Sequence, residues 1–334
     1  MARVVAMRAP TRMDFGGGWT DVPPYADREG GVVCAAAIAR YATVVLRERT
    51  PPDPAAPSGG ATSAEANPDT PLISAALRRA GAAQLLRADM HSDFPIGAGL
   101  GGSSAASAAV LGALDRWRGL PLDRVHIAER GRQIEVEDLG VAGGRQDHYC
   151  ATHGGLLGLT FGKGAAVGVE RLPLPPTLRQ ALERRCLLVY TGESRISGNT
   201  ITGVLDAWAA GEPRVTRALT RMRELATQMI EACRACDVDA LGAAVAEHWT
   251  HQRALHPAIP TPRIDTIIER TRAAGALGAK ATGASGGGCV LIIARDGAED
   301  RVRHVATALG ESLPFTLDEE GLVECDSNAA MRQG

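Results

Sequence analysis

One stretch, Pro95-Ile-Gly-Ala-Gly-Leu-Gly-Gly-Ser-Ser-Ala-Ala106, constrains this chain more than any other. Gly97, Gly99, Gly101 and Gly102 let the backbone turn tightly around Leu100 and approach a ligand without Cβ interference. Immediately after it, Ala105, Ala109, Ala113 and Trp117 recur every fourth residue, flanked by Ala106, Val110 and Leu114. That spacing predicts a helix over Ser103–Trp117 with a broad apolar stripe. The loop therefore opens into a helix start, where unpaired N–H groups and the helix dipole favour an anion. Ser103 and Ser104 would add hydroxyls for a phosphate or its Mg²⁺, and a glycine turn with a serine N-cap is the plainer reading.

Other phosphate motifs fit less well. Gly97-x-Gly99-x-x-Gly102 matches the dinucleotide fingerprint in form. That motif needs a strand before it and another after the helix, whereas Arg118-Gly-Leu-Pro-Leu-Asp leads into a further helical pattern. Walker A is excluded because no Gly-Lys-Ser/Thr follows. Glycine clusters also occur at Gly16-Gly17-Gly18 and Gly283-Ala-Ser-Gly-Gly-Gly288, and a fold uniting all three would line one large site with glycine.

Strands are predicted at 4–9, 32–47 (one bent strand or two), 84–91, 156–161, 186–190 and 289–294. Helices are predicted at 72–80, 103–117, 122–137, 215–236, 238–254, 262–274 and 301–309, with a hairpin at 315–326 turning at Glu319-Glu320-Gly321. Residues 50–70 are rich in Pro, Ser, Ala and Gly and read as a mobile loop. The class is α+β, and 334 residues suggest two domains, 1–180 and 181–334.

Composition removes several functions. Lys+Arg 36 against Asp+Glu 38 leaves no basic excess for nucleic acid, and 4% aromatics gives no stacking platform. No apolar run is long enough to span a membrane, and Arg8, Arg12 and Asp14 break up any signal-like start. Seven scattered cysteines fit free thiols, so a cytoplasmic chain is expected. Cys233-x-x-Cys236 lacks a second pair, and His248-x-x-His251 lacks the carboxylate of a zinc helix and reads as a helix face.

Three stretches in order resemble the GHMP small-molecule kinases: Arg8-Ala-Pro-Thr-Arg-Met-Asp-Phe-Gly-Gly-Gly-Trp-Thr-Asp21, the Gly97–Ala106 loop, and Lys280-Ala-Thr-Gly-Ala-Ser-Gly-Gly-Gly-Cys289. The resemblance implies an N-terminal domain like ribosomal protein S5 domain 2 and a ferredoxin-like C-terminal domain. ATP would lie between them on Gly97, Gly99, Leu100, Gly101, Gly102, Ser103 and Ser104. Gly-Gly-Trp-Thr-Asp-x-Pro-Pro-Tyr is similar to D-glycero-D-manno-heptose 7-phosphate kinases and the kinase part of L-fucose kinases, and Gly144-Arg-Gln-Asp-His-Tyr149, Tyr190-Thr-Gly-Glu-Ser-Arg195 and Gly275-Ala-Leu-Gly-Ala-Lys280 resemble the heptose kinases. Ser285 departs from a usual Gly, a change tolerated at negative φ.

Carried onto this chain, the resemblance implies Asp147, expected on a short turn, as the base and Arg12 as its cationic partner. Ser104 and Glu135 would hold Mg²⁺. Gly17, Gly18, Thr20, Asp21, Arg195, Gly286 and Gly287 would face a sugar or sugar phosphate. The expected activity is ATP-dependent phosphorylation of an anomeric hydroxyl on a heptose 7-phosphate. The alternatives are an unphosphorylated sugar such as L-fucose or galactose, and a catalytically silent binding module.

Overall fold

A computed structural model describes residues 3–49, 70–162, 167–193 and 198–326. The N-terminal part runs β1 (Val4–Gly16), α1 (Tyr25–Glu29), β2 (Gly31–Glu48), α2 (Thr70–Arg79), β3 (Leu86–Ser92), α3 (Gly102–Trp117), α4 (Arg124–Gln133), a π-helical turn (Ile134–Asp138), α5 (Gln146–His153), β4 (Leu156–Phe161) and β5 (Val167–Arg171). The chain leaves the first sheet through α6 (Pro176–Arg185). It then runs β6 (Cys186–Tyr190), α7 (Gly198–Ala209), α8 (Pro213–Arg234), α9 (Val238–Leu255), α10 (Pro262–Ala273), β7 (Ala276–Ala281), β8 (Cys289–Ala294), α11 (Glu299–Leu309), β9 (Glu311–Ser312) and β10 (Val323–Glu324).

Two sheets result, ordered β10-β1-β2-β4-β5 with β3 on the far half of β2, and β7-β8-β6-β9. All the strand pairs are antiparallel. The 32–47 run is one strand, whose first half pairs with β4 and second half with β3. A register shift at Pro10/Thr11 redirects β1. Before it, Val5, Met7 and Ala9 pack with α2 and α3; after it, Met13 and Phe15 pack with α8 and the second sheet. Strand alternation then puts Arg12 and Asp14 together on the opposite face from Met13 and Phe15.

Helix α3 is more than striped: every residue from Ser104 to Asp115 is buried. Its alanines let neighbours close in on all sides, as an all-round apolar helix requires. The expected hairpin at 315–326 does not form. Leu317 bridges Ile38, and β10 adds to β1 with Arg8 opposite Val323, so the tail returns to the first sheet. The 50–70 loop lies outside the described residues apart from Thr70, which starts α2. No helix among the described residues is long and apolar enough to cross a membrane.

Glycine sets the closest approach between layers. A Cβ on Gly278 of β7 would sit 2.0 Å from the Gly242 carbonyl oxygen of α9, which cannot move aside. On Gly203 of α7 the nearest atom would be 3.7 Å away. Gly278→Ala is therefore expected to destabilise by about 3 kcal/mol or more, and Gly203→Ala to stabilise by about 0.5–1 kcal/mol. Urea unfolding of both variants checks this, and equal effects would contradict the packing.

Candidate active site

The centre of the site is a buried cation. Arg12, 2% exposed, donates from Nε to Asp147 Oδ1 at 2.7 Å and from Nη1 to the Gly99 carbonyl at 2.7 Å. Its backbone N–H donates to Leu100 O at 3.0 Å, so one residue fastens β1 to both α5 and the glycine loop. Burial opposes the guanidinium charge, but Asp147 and then Asp14 outweigh it and raise its pKa. Asp147 lies in the first turn of α5, a correction to the expected turn, and its other face meets the start of α3. A Cβ on Gly101 would come within 3.0 Å of Asp147 Cγ. Gly101 caps α3 at φ +74 with no side-chain cap, so no side chain competes for the helix-start N–H groups.

These groups line a cleft of about 360 Å³ with Asp21, Ser104, Glu135 and Ala284. Gly97, Gly99, Leu100, Gly101, Gly102 and Ser103 form its loop wall, as expected. Asp21 Oδ2 accepts the Gln146 backbone N–H at 2.9 Å, while Oδ1 has no partner. Burial is the main reason its pKa is pushed up to about 6. Glu135 sits on the π-helical turn; its Oε1 accepts from Ser103 Oγ at 2.7 Å, and Oε2 lies 3.2 Å from His148 Nε2. Burial raises the Glu135 pKa, but His148 and the Ser103 and Ser104 hydroxyls outweigh it, so the carboxylate is held ionised.

Other expected residues fall elsewhere. Gly18 lines the cleft, but Gly17 and Thr20 do not. The Thr20 hydroxyl donates to Gly17 O at 2.6 Å and accepts the Val32 N–H, which closes the turn from inside. Gly286 and Gly287 also lie off the cleft wall; Gly286 N donates to Ile259 O, and a Cβ on Gly287 would strike Glu193 O. Gly283 and Ala284 take their place. Arg195 is outside the described residues. Ser285 has φ +69, against the expected negative value, and its hydroxyl accepts from Gln252 Nε2 at 2.9 Å. His248 is a buried residue, not a plain helix face. Its Nε2 accepts the Gly17 N–H at 2.9 Å, and burial, then Lys280, push its pKa down to about 3.

The GHMP kinases N terminal domain model matches residues 71–155, and the GHMP kinases C terminal model matches 229–312. The chain belongs to the GHMP kinases. Members use ATP as phosphate donor, so this one is an ATP-dependent phosphotransferase. It is 28% identical to D-glycero-alpha-D-manno-heptose 7-phosphate kinase of Campylobacter jejuni over 86% of this chain and 88% of that one. It is 28% identical to the bifunctional fucokinase/GDP-fucose pyrophosphorylase of Arabidopsis thaliana, over 94% of this chain but only 32% of that protein. The crystal structure of a D-glycero-D-manno-heptose 1-phosphate kinase from Bacteroides thetaiotaomicron superposes with a TM-score of 0.75 at 23% identity, covering 97% and 99% of the two chains.

In this GHMP kinase Asp21 carries a stability cost. Its carboxyl holds a proton more tightly folded than unfolded, so stability rises as pH falls through about 6 toward the ordinary 3.8. Above 6 the charge is a standing penalty of about 2–3 kcal/mol. Asp21→Asn is expected to be more stable than the parent by about 2 kcal/mol at pH 8. The gap should close by about pH 4, where the native carboxyl is protonated anyway. Chemical denaturation at the two pH values measures it, and a gap that ignores pH would contradict the buried carboxylate.

Proposed function

We propose that this GHMP kinase transfers the γ-phosphoryl of ATP to the anomeric hydroxyl of a heptose 7-phosphate. The observation that carries the reading is the Arg12–Asp147 pair at 2.7 Å, facing the cleft at the uncapped start of α3. A buried arginine holds one carboxylate oxygen, so the other is free for an acceptor hydroxyl. A binding module has no use for such a base. The resemblance of the Gly17–Tyr25 and Gly144–Tyr149 stretches, and the span of the Campylobacter jejuni relative, support the heptose 7-phosphate over other sugars.

In the proposed reaction the acceptor hydroxyl donates its hydrogen bond to Asp147. As the hydroxyl oxygen bonds to the γ-phosphorus, Asp147 takes the proton and the bond from phosphorus to the ADP oxygen breaks. Arg12 keeps Asp147 aimed and offsets the charge growing between them. The α3 N–H groups hold phosphate oxygens. Asp21, on the cleft wall, is the carboxylate placed for a second sugar hydroxyl.

The donor set fits Mg²⁺: an ionised carboxylate at Glu135 and a hydroxyl at Ser104 are hard oxygens beside the phosphate loop. The described residues contain no group of three or more His, Cys, Asp or Glu able to hold a metal, so phosphate oxygens and water would complete the shell. When bound, the ion neutralises phosphate charge.

Asp147→Asn is expected to lower kcat by about 10²–10⁴-fold with nucleotide binding retained. ATP turnover and nucleotide titration check this, and unchanged turnover would remove Asp147 from the mechanism. For the acceptor, heptose 7-phosphate, the free heptose, L-fucose and galactose are each offered with ATP, and the products are read by phosphorus NMR. A new anomeric phosphate only on heptose 7-phosphate is the expected result. Preferred turnover of a free sugar would overturn the acceptor, and no turnover with any would overturn the kinase reading.

A further inference from the structure

Beneath the cleft lies a second buried ion pair that the phosphotransfer mechanism does not use. Lys280 of β7 is 0% exposed and Asp14 of β1 is 2% exposed. Lys280 Nζ donates to Asp14 Oδ2 at 2.7 Å and to the Asp14 backbone carbonyl at 3.1 Å. Asp14 Oδ1 has no partner. Neither residue lines the cleft, so neither meets the substrate.

Asp14 follows Arg12 by two residues on β1, and strand alternation turns both side chains to one face. Within its own strand, the buried Arg12 guanidinium therefore has a competing carboxylate. An unneutralised Asp14 would draw Arg12 away from Asp147 and from the Gly99 carbonyl. Lys280 occupies that carboxylate from the second sheet and leaves Arg12 to Asp147. The composition makes the choice of residue telling: of 36 Lys+Arg residues only two are lysine, and one of them stands here. A guanidinium would present a planar fork able to engage both Asp14 oxygens, whereas an ammonium is a compact point charge that fits between one oxygen and a backbone carbonyl.

We propose that Lys280 is a positioning residue for phosphoryl transfer: by neutralising Asp14 it commits Arg12 to Asp147, so that a side chain of the second sheet sets the geometry of the base. The inference rests on the kinase reading for its kinetic readout, and it has a second readout that needs no substrate.

The test compares the parent enzyme, Lys280→Met, and the double variant Asp14→Asn/Lys280→Met, in which neither charge remains. The substrate-free readout is the NMR signal of the Arg12 Nε–H, assigned by its loss in Arg12→Lys. In the parent this proton is hydrogen-bonded to Asp147 and slow to exchange. Lys280→Met is expected to shift it and speed its exchange, and the double variant to restore it. In turnover, Lys280→Met is expected to lose about 30-fold or more in kcat with the KM for ATP within about threefold, and the double variant to recover at least tenfold of that loss. A merely structural bridge predicts no recovery, because the double variant has lost the bridge as completely as the single one.

If Lys280→Met keeps the parental signal and kcat, the proposal is wrong. It is also wrong if the double variant folds, by its thermal transition, without regaining the signal. Should Lys280→Met not fold, the double variant alone decides: a parental Arg12 signal supports the proposal, and its absence, or failure of the neutral pair to fold, overturns it. A parent that turns over no sugar would count against the acceptor or the kinase reading, while the Arg12 signal would still test this one.

Discussion

Arg12 is a permanent positive charge held almost wholly out of water, and the arrangement around it follows from that fact. Removing a guanidinium from solvent is costly unless its donors meet strong acceptors. Here the acceptors are the Asp147 carboxylate and the Gly99 carbonyl, which belong to a helix and a loop far apart in the chain. Satisfying one side chain therefore fixes three pieces of backbone relative to one another: β1, the loop before α3, and the first turn of α5. The geometry proposed for catalysis and the satisfaction of a buried charge are the same set of contacts. For that reason the register shift at Pro10/Thr11, which sets the direction of Arg12, matters more than its place in an edge-side stretch of sheet suggests.

Glycine performs different work in its three clusters. Gly99 and Gly283 lie backbone to backbone: a Cβ on Gly283 would be 3.2 Å from Gly99 Cα. Cys289 N donates to Ala98 O at 2.8 Å, so the second and third clusters form one continuous wall that joins the two parts of the chain. The first cluster is mainly a packing device. A Cβ on Gly16 would collide with Met229 and one on Gly17 with the Val32 carbonyl, and of the three only Gly18 reaches the cleft. The expectation of one site lined by all three clusters therefore holds for the second cluster, for Gly283 and Ala284 at the start of the third, and for Gly18 at the end of the first.

What could be read from the chain tracks how local each element's reason for folding is. Leu156–Phe161, Cys186–Tyr190 and Cys289–Ala294 are short apolar runs flanked within two residues by glycines or charged residues, and all three are strands with the expected bounds. Helix α5 was legible only as a motif: Gly144-Arg-Gln-Asp reads as a turn, and its helical state is fixed by burial of His148, Tyr149 and Cys150 against neighbours remote in sequence. Helix α7, with its Gly-Asn-Thr start, and β7, with two alanines and a glycine around Lys280, carry no strong local signal. At the site, Arg12, Asp21, Ser104, Glu135 and Asp147 converge, although the chain has no local rule that brings them together. Thr20 shows the limit of motif reading. It sits in the right motif, yet its hydroxyl is consumed inside the turn. His248 and Gln252 on α9 had only their spacing on one helix face as a signal, and what they hold, Gly17 and Ser285, lies on other elements.

Departures from relaxed backbone and relaxed electrostatics cluster around the cleft. The described non-glycine residues at positive φ are Trp19, Cys236 and Ser285. Cys236 follows the end of α8, where a left-handed residue is ordinary helix punctuation. Trp19 lines the cleft and Ser285 adjoins Ala284, which does. Asp21, on the same cleft wall as Trp19, is a carboxylate kept buried with one oxygen unmatched. Each of these costs stability on its own, and none is needed to close either sheet. Their common location implies that the surrounding packing is strong enough to impose them. An unmatched buried acceptor at the cleft wall is a standing cost that any hydrogen-bond donor brought to it would relieve. The cleft wall is therefore where the fold concentrates local destabilisation.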